Sequence, residues 1–168
     1  MEHYQEIGEG IGIHKAPEVY GAFPTDPYSH TPKHRGAQQP GMTGQVKEDI
    51  LVSIGELGVF VEEGRLIFSP RLLKLKAFRA EAGTLEFVDL HQETRSVKLP
   101  GKALGFSYCQ VPVVYRIAGE DVVEAKFRDG TTRRFEGTSV DQETSGLVFR
   151  RTGDVVQITV SLRETHLI

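Results

Sequence analysis

The chain has 168 residues, 20 Lys plus Arg against 23 Asp plus Glu, and a formal net charge of −3. That length suits one domain, or one domain with an arm, and can bury a core without disulfide or metal staples. Hydrophobic content of 39% beside 26% charged residues argues against a disordered chain, the mild acidity leaves no electrostatic footprint for nucleic acid or an anionic membrane, and no apolar run approaches the roughly 18 residues of a membrane span.

Residues 1–42 hold five of the eight prolines and four of the six histidines. Each residue before a proline is pushed toward extended geometry, so neither helix nor strand periodicity survives. Tyr20, Phe23 and Tyr28 make the stretch too aromatic for a plain linker. An irregular arm that lies against something is expected. No signal-peptide pattern is visible in the first 25 residues, and the lone Cys109 rules out an internal disulfide or a cysteine-based zinc site. A cytoplasmic location is the expectation.

Residues 43–56 read as one helix. Thr43 is the N-cap, and Val46, Ile50, Ile54 and Leu57 recur at helical spacing, with Leu51 beside them. Glu48 and Asp49 sit toward the positive end, and Gly55 or Gly58 supplies the stop. A single helix of about three turns does not stand alone. It must pack on the sheet that comes after it or on a helical partner.

Residues 57–168 read as β. The expected strands are 59–61, 66–68, 85–90, 93–99, a long run over 103–117 interrupted by Pro112, then 123–127, 133–136, 146–151 and 155–162. About nine short strands at regular spacing predict a mainly β protein, an antiparallel β-sandwich or partly closed barrel with one helix and an irregular N-terminal arm. One hairpin can be read to register. Phe127 and Phe135 share the buried face only if the loop is Arg128-Asp129-Gly130, which sets Val123 opposite Phe135 and Glu124 opposite Arg134. That loop class wants a left-handed glycine last, and Gly130 is there.

No strong catalytic motif is present: no phosphate-binding glycine loop, no His-Glu-x-x-His, no serine elbow. His30 and His34 are four apart, but Pro32 between them opposes a helix and no third ligand presents itself, so no metal and no cofactor is expected. Cys109 reads as an inert thiol in an apolar strand. Tyr108, Gln110 and Tyr115 are polar-tipped residues of the same run. They either line a sugar-binding face or are half-buried strand residues with satisfied tips, the plainer reading.

The stretches Tyr20–Pro32, Gly36–Glu48 and Gly105–Tyr115 together resemble the carboxy-terminal end of large bacterial proteins related to cellobiose-phosphorylase-type carbohydrate enzymes. In those proteins an (α/α)₆ barrel is followed by a small β-sandwich. The resemblance implies that residues 1–42 are a barrel-rim loop, residues 43–56 a late barrel helix and residues 57–168 the terminal sandwich. Twelve barrel helices do not fit in this chain, and the family's catalytic acid lies in the barrel, so none carries over. The family's phosphate site uses a histidine, a glutamine and a Thr-Gly pair, and His30, Gln39 and Thr43-Gly44 are the residues of matching type. A Thr-Gly at a helix start presents N–H groups to an anion, or simply caps the helix.

The expectation is therefore a non-catalytic sandwich domain or fragment of a glycoside hydrolase- or phosphorylase-like protein, acting in assembly or sugar-surface contact. The candidate ligand-binding residues are His30, Gln39, Thr43, Gly44, Tyr108 and Gln110. The alternative is a stand-alone sugar-binding module or small enzyme with its site at the N-terminal arm. The partners expected are a second copy of the chain or a helical barrel, and carbohydrate, with neither nucleic acid nor membrane.

Overall fold

A computed structural model describes residues 51–168. The chain divides into two units, Met1–Ile54 and Gly55–Ile168, and the second holds every strand among the described residues. The arm over residues 1–42 and the first half of the expected helix lie outside the described residues. Residues 51–57 are helical (α1), and the helix ends at Gly58, whose φ is 64°. Leu51, placed off the apolar stripe, is exposed.

Nine strands come next: β1 (Val59–Glu62), β2 (Arg65–Phe68), β3 (Gly83–Val88), β4 (Thr94–Leu99), β5 (Ala103–Tyr108), β6 (Val111–Ile117), β7 (Val122–Phe127), β8 (Thr132–Glu136) and β9 (Val155–Leu162). A second helix, α2 (Gln142–Phe149), precedes β9. The protein is mainly β, and its layers are compatible with a sandwich. A central five-stranded sheet runs in the order β5-β6-β9-β7-β8, while β1-β2 and β3-β4 are separate two-stranded hairpins.

The total of nine conceals two differences that cancel. The run over 103–117 is two strands, because the chain reverses at Cys109-Gln110 rather than bending at Pro112. Pro112 lies inside β6 opposite Ser107, one residue before pairing with β9 begins at Val113, so its missing N–H costs that second ladder nothing. The strand expected over 146–151 is instead the end of α2 and its C-cap. Asp141 caps this helix by accepting from the Thr144 N–H at 2.7 Å, and Ser145 Oγ donates to the Asp141 carbonyl at 2.7 Å while accepting from the Leu66 N–H at 2.9 Å. A capped first turn with a buried Thr144, Ser145 and Val148 outweighs the short apolar run Leu147-Val148-Phe149 that looks like a strand in isolation. One pairing also departs from the antiparallel expectation. The β7–β8 hairpin and α2 carry the chain back so that β9 enters between β6 and β7, parallel to β6.

Register assigns the two faces of the central sheet. Val113, Tyr115, Val123, Ala125, Ile158 and Val160 share one face, and all are completely buried. Here Tyr115 stands edge-on to Phe68 and Phe106, at 6.0 and 5.0 Å between ring centroids. Its hydroxyl donates to the Leu57 carbonyl at the end of α1, 2.6 Å away, and burial pushes that phenol well above its ordinary pKa. The predicted Gly130 hairpin is present as read: Val123 faces Phe135, Glu124 faces Arg134, and Gly130 has φ 88°.

The opposite face is split. Near β7 and β8 it is polar, with Arg116 donating to Ser161 at 2.7 Å and pairing with Glu124 at 3.7 Å. Near β5 and β6 it is covered by the β3–β4 hairpin. Leu99 packs with Ala103 and Val114, flanked by Leu85 and Val97. The close approach is possible because Gly105 has no side chain: a Cβ there would lie 2.9 Å from Leu99 Cδ2 and 3.2 Å from Leu85 Cβ.

Candidate functional site

The inner face of the β3–β4 hairpin carries Leu85 opposite Val97 and, one pair nearer the tip, Phe87 opposite Arg95. The apolar pairs seal the base against the central sheet. Beyond them Phe87 and Arg95 overhang a cleft of about 330 Å³, within the lower range of small-ligand sites. The hairpin loop adds Asp89, Leu90 and His91 to its wall. Gln110 of the β5–β6 turn and Pro112 of β6 line it further, together with Arg128, Gly153, Val155 and Val156.

Asp89 organises the hairpin loop. Its Oδ1 accepts from the backbone N–H groups of His91 and Glu93, at 2.8 and 3.0 Å, an Asx-type turn. Its Oδ2 accepts from Arg95 Nε at 2.9 Å, and Arg95 pairs with Glu93 as well. The Arg95 hydrogen bond, then those from the backbone, hold the Asp89 carboxyl below its ordinary pKa; the pairing raises that of Arg95.

Gln110 is presented by an unusual turn. Cys109 and Gln110 have φ of 50° and 63°, the left-handed pair that a two-residue hairpin loop requires and that Asn-Gly ordinarily supplies. Two non-glycine residues there carry backbone strain, of about 1 kcal/mol or more each. In return the Gln110 amide enters the cleft and donates to the Asp89 carbonyl at 3.1 Å. That bond uses one amide hydrogen and leaves the amide oxygen as an acceptor.

Arg128 follows a register shift. The β7–β9 ladder slips between Lys126 and Phe127, where Val156 of β9 is the extra residue of a bulge. The Arg128 N–H then reaches the Asp154 carbonyl at 2.8 Å, and its Nε donates to the Gly153 carbonyl at 3.1 Å. Gly153 has φ 78°, and a Cβ there would stand 2.3 Å from Arg128 Nη2. The positive φ of the turn is what favours glycine here.

Of the six residues singled out from sequence, His30, Gln39, Thr43 and Gly44 lie outside the described residues. Gln110 is in the cleft. Tyr108 is not: register puts it opposite Val111, on the Tyr115 face of the sheet, and burial raises its hydroxyl pKa, with a further contribution from Cys109. Cys109 is a half-buried turn residue rather than a strand thiol. Phe87, Asp89, His91, Arg95 and Arg128 were not anticipated. The Asp89-to-Glu93 spacing signals an Asx turn, but nothing in sequence joins it to Arg128. Among the described residues no cluster of three or more His, Cys, Asp and Glu side chains is placed to hold a metal ion, and no helix is long and apolar enough to cross a membrane. No protein-family model matches the chain, and no curated protein matches it.

Proposed function

We propose that the chain is a non-catalytic β-sandwich domain of a carbohydrate-active, glycoside hydrolase- or phosphorylase-like protein, and that its cleft contacts a saccharide. The cleft carries this reading. It sets one aromatic ring, Phe87, among planar polar groups, Asp89, His91, Arg95, Gln110 and Arg128, a mixture suited to the alternating apolar faces and hydroxyls of a sugar ring. Among the described residues lining the cleft, Asp89 is the one carboxylate, and it is engaged by Arg95 and two backbone N–H groups. Glycoside hydrolysis ordinarily calls for two carboxyls across a cleft.

The test is a titration of the ¹⁵N-labelled chain with glucose and cellobiose, followed by amide and side-chain resonances, beside an aryl-glucoside turnover assay. Shifts confined to Gln110, His91 and Arg128, with no turnover, are expected. Unmoved cleft resonances at tens of millimolar sugar, or turnover lost on mutating an acid of this chain, would refute the reading.

An assembly role has its own support. Phe60 and Val61 are adjacent and half exposed, at 50% and 52%, on β1, which pairs only with β2 among the described residues. An apolar strand with an open edge favours pairing with another chain. Light scattering should show a species larger than a monomer at tens of micromolar, and Val61→Lys should dissociate it.

A further inference from the structure

The two arginines that line the cleft differ in how they are paired. Arg95 is committed to Asp89 and Glu93. Among the described residues Arg128 has no carboxylate partner, and its side chain donates to the Gly153 carbonyl through Nε, with no partner there for its two terminal nitrogens. This side chain is held at the rim by its bond to the Gly153 carbonyl, and its main chain by the bond of the Arg128 N–H to the Asp154 carbonyl.

A guanidinium fork matches a carboxylate in two parallel hydrogen bonds. The stoichiometry favours a monoanion. Among the described residues Arg128 is the one cleft-lining arginine without a carboxylate partner, and a dianionic phosphate would be repelled more strongly than a monoanion by the Asp89 and Glu93 carboxylates of the hairpin loop. Opposite the arginine, the Gln110 amide and Phe87 remain for a hydroxyl-bearing ring. Building on the saccharide reading above, we propose that the cleft selects an acidic monosaccharide unit of the uronic acid class, with Arg128 pairing its carboxylate and Gln110 a ring hydroxyl.

The experiment titrates the full ¹⁵N-labelled chain with glucuronate, glucose and acetate, and repeats this with Arg128→Gln and Arg128→Lys. Glucuronate should bind about tenfold or more tightly than glucose, the worth of a charge-assisted hydrogen-bond pair. R128Q should abolish that advantage, while R128K regains part of it. Gly153→Ala, which pushes on the guanidinium without changing charge, should weaken glucuronate selectively. Equal affinity for the two sugars, or R128Q binding glucuronate like the parent, overturns this proposal and leaves the saccharide reading standing. Acetate matching glucuronate shows that the ring contributes nothing and overturns both, as does the failure of either sugar to move a cleft resonance.

Discussion

Gly105→Ala is the sharpest probe of how the cleft is built. The added Cβ would meet Leu99 Cδ2 at 2.9 Å, Leu99 Cδ1 at 3.1 Å and Leu85 Cβ at 3.2 Å, where apolar carbons prefer about 3.5–4.0 Å. Leu99 is 4% exposed and packed among Ala103 and Val114, so its methyls have little room to swing aside. Leu85 Cβ is fixed to the β3 backbone. The hairpin must therefore lift by about 0.5 Å, and such overpacking costs about 1–3 kcal/mol. Restricting the unfolded chain returns about 0.4–1 kcal/mol, leaving a net loss of about 1–2 kcal/mol.

Gly119→Ala is the internal control. A Cβ there meets nothing within 4 Å and φ is not left-handed, so only the unfolded-state gain remains. In urea the G105A midpoint should fall by about 0.5–1 M at the slope usual for a domain of this size, while G119A should hold or rise. Because the hairpin tip supplies Phe87, Asp89 and Arg95, G105A should also weaken ligand binding and lower amide protection over residues 84–98 before that of β6 and β9. A G105A protein as stable as G119A, with the hairpin still protected, would show that the hairpin does not rest on Gly105.

Gly130→Val should cost about 1 kcal/mol or more, because a β-branched residue at a φ of 88° is strained even where the surrounding space is open; an unchanged melting temperature would contradict this. Asp141→Ala should cost about 1 kcal/mol through loss of the α2 cap, and D141N much less, both read by thermal unfolding. Replacing Cys109-Gln110 with Asn-Gly should raise the melting temperature by removing strain and at the same time weaken saccharide binding; a variant that binds like the parent would detach Gln110 from the site. Asp89 has its pKa lowered on folding, so its contribution is present above the ordinary value of 3.8 and is lost as pH falls through the lower folded value. The loop resonances of residues 89–95 should hold down to about pH 3.8 and loosen below it, and Asp89→Asn should remove that dependence.

Much of the β framework is local information and was legible. Alternation marks β3, β7 and β9 because each strand presents one face to a core, and hairpin parity with a left-handed Gly130 placed the β7–β8 register to the residue. The stop of α1 was narrowed to Gly55 or Gly58, and Gly58 ends it. Where the reading failed, short-range signals competed. Leu147-Val148-Phe149 is apolar enough for a strand, and only the burial of Thr144 and Ser145 against β2 makes the Asp141 cap decisive. Cys109-Gln110 carries no turn signature at all; the chain reverses there because the apolar residues of β5 and β6 gain more by pairing and burying than two left-handed residues lose. The cleft was the least visible feature. Asp89, Gln110 and Arg128 come from three hairpin ends far apart in sequence, and they line one cleft because Gly105 lets one hairpin lie close on the central sheet and the Asp154 and Gly153 carbonyls hold Arg128 at its rim. Periodicity reports which side of a strand is buried, whereas the convergence of three loop tips depends on how separate layers stack, and that is decided by packing alone.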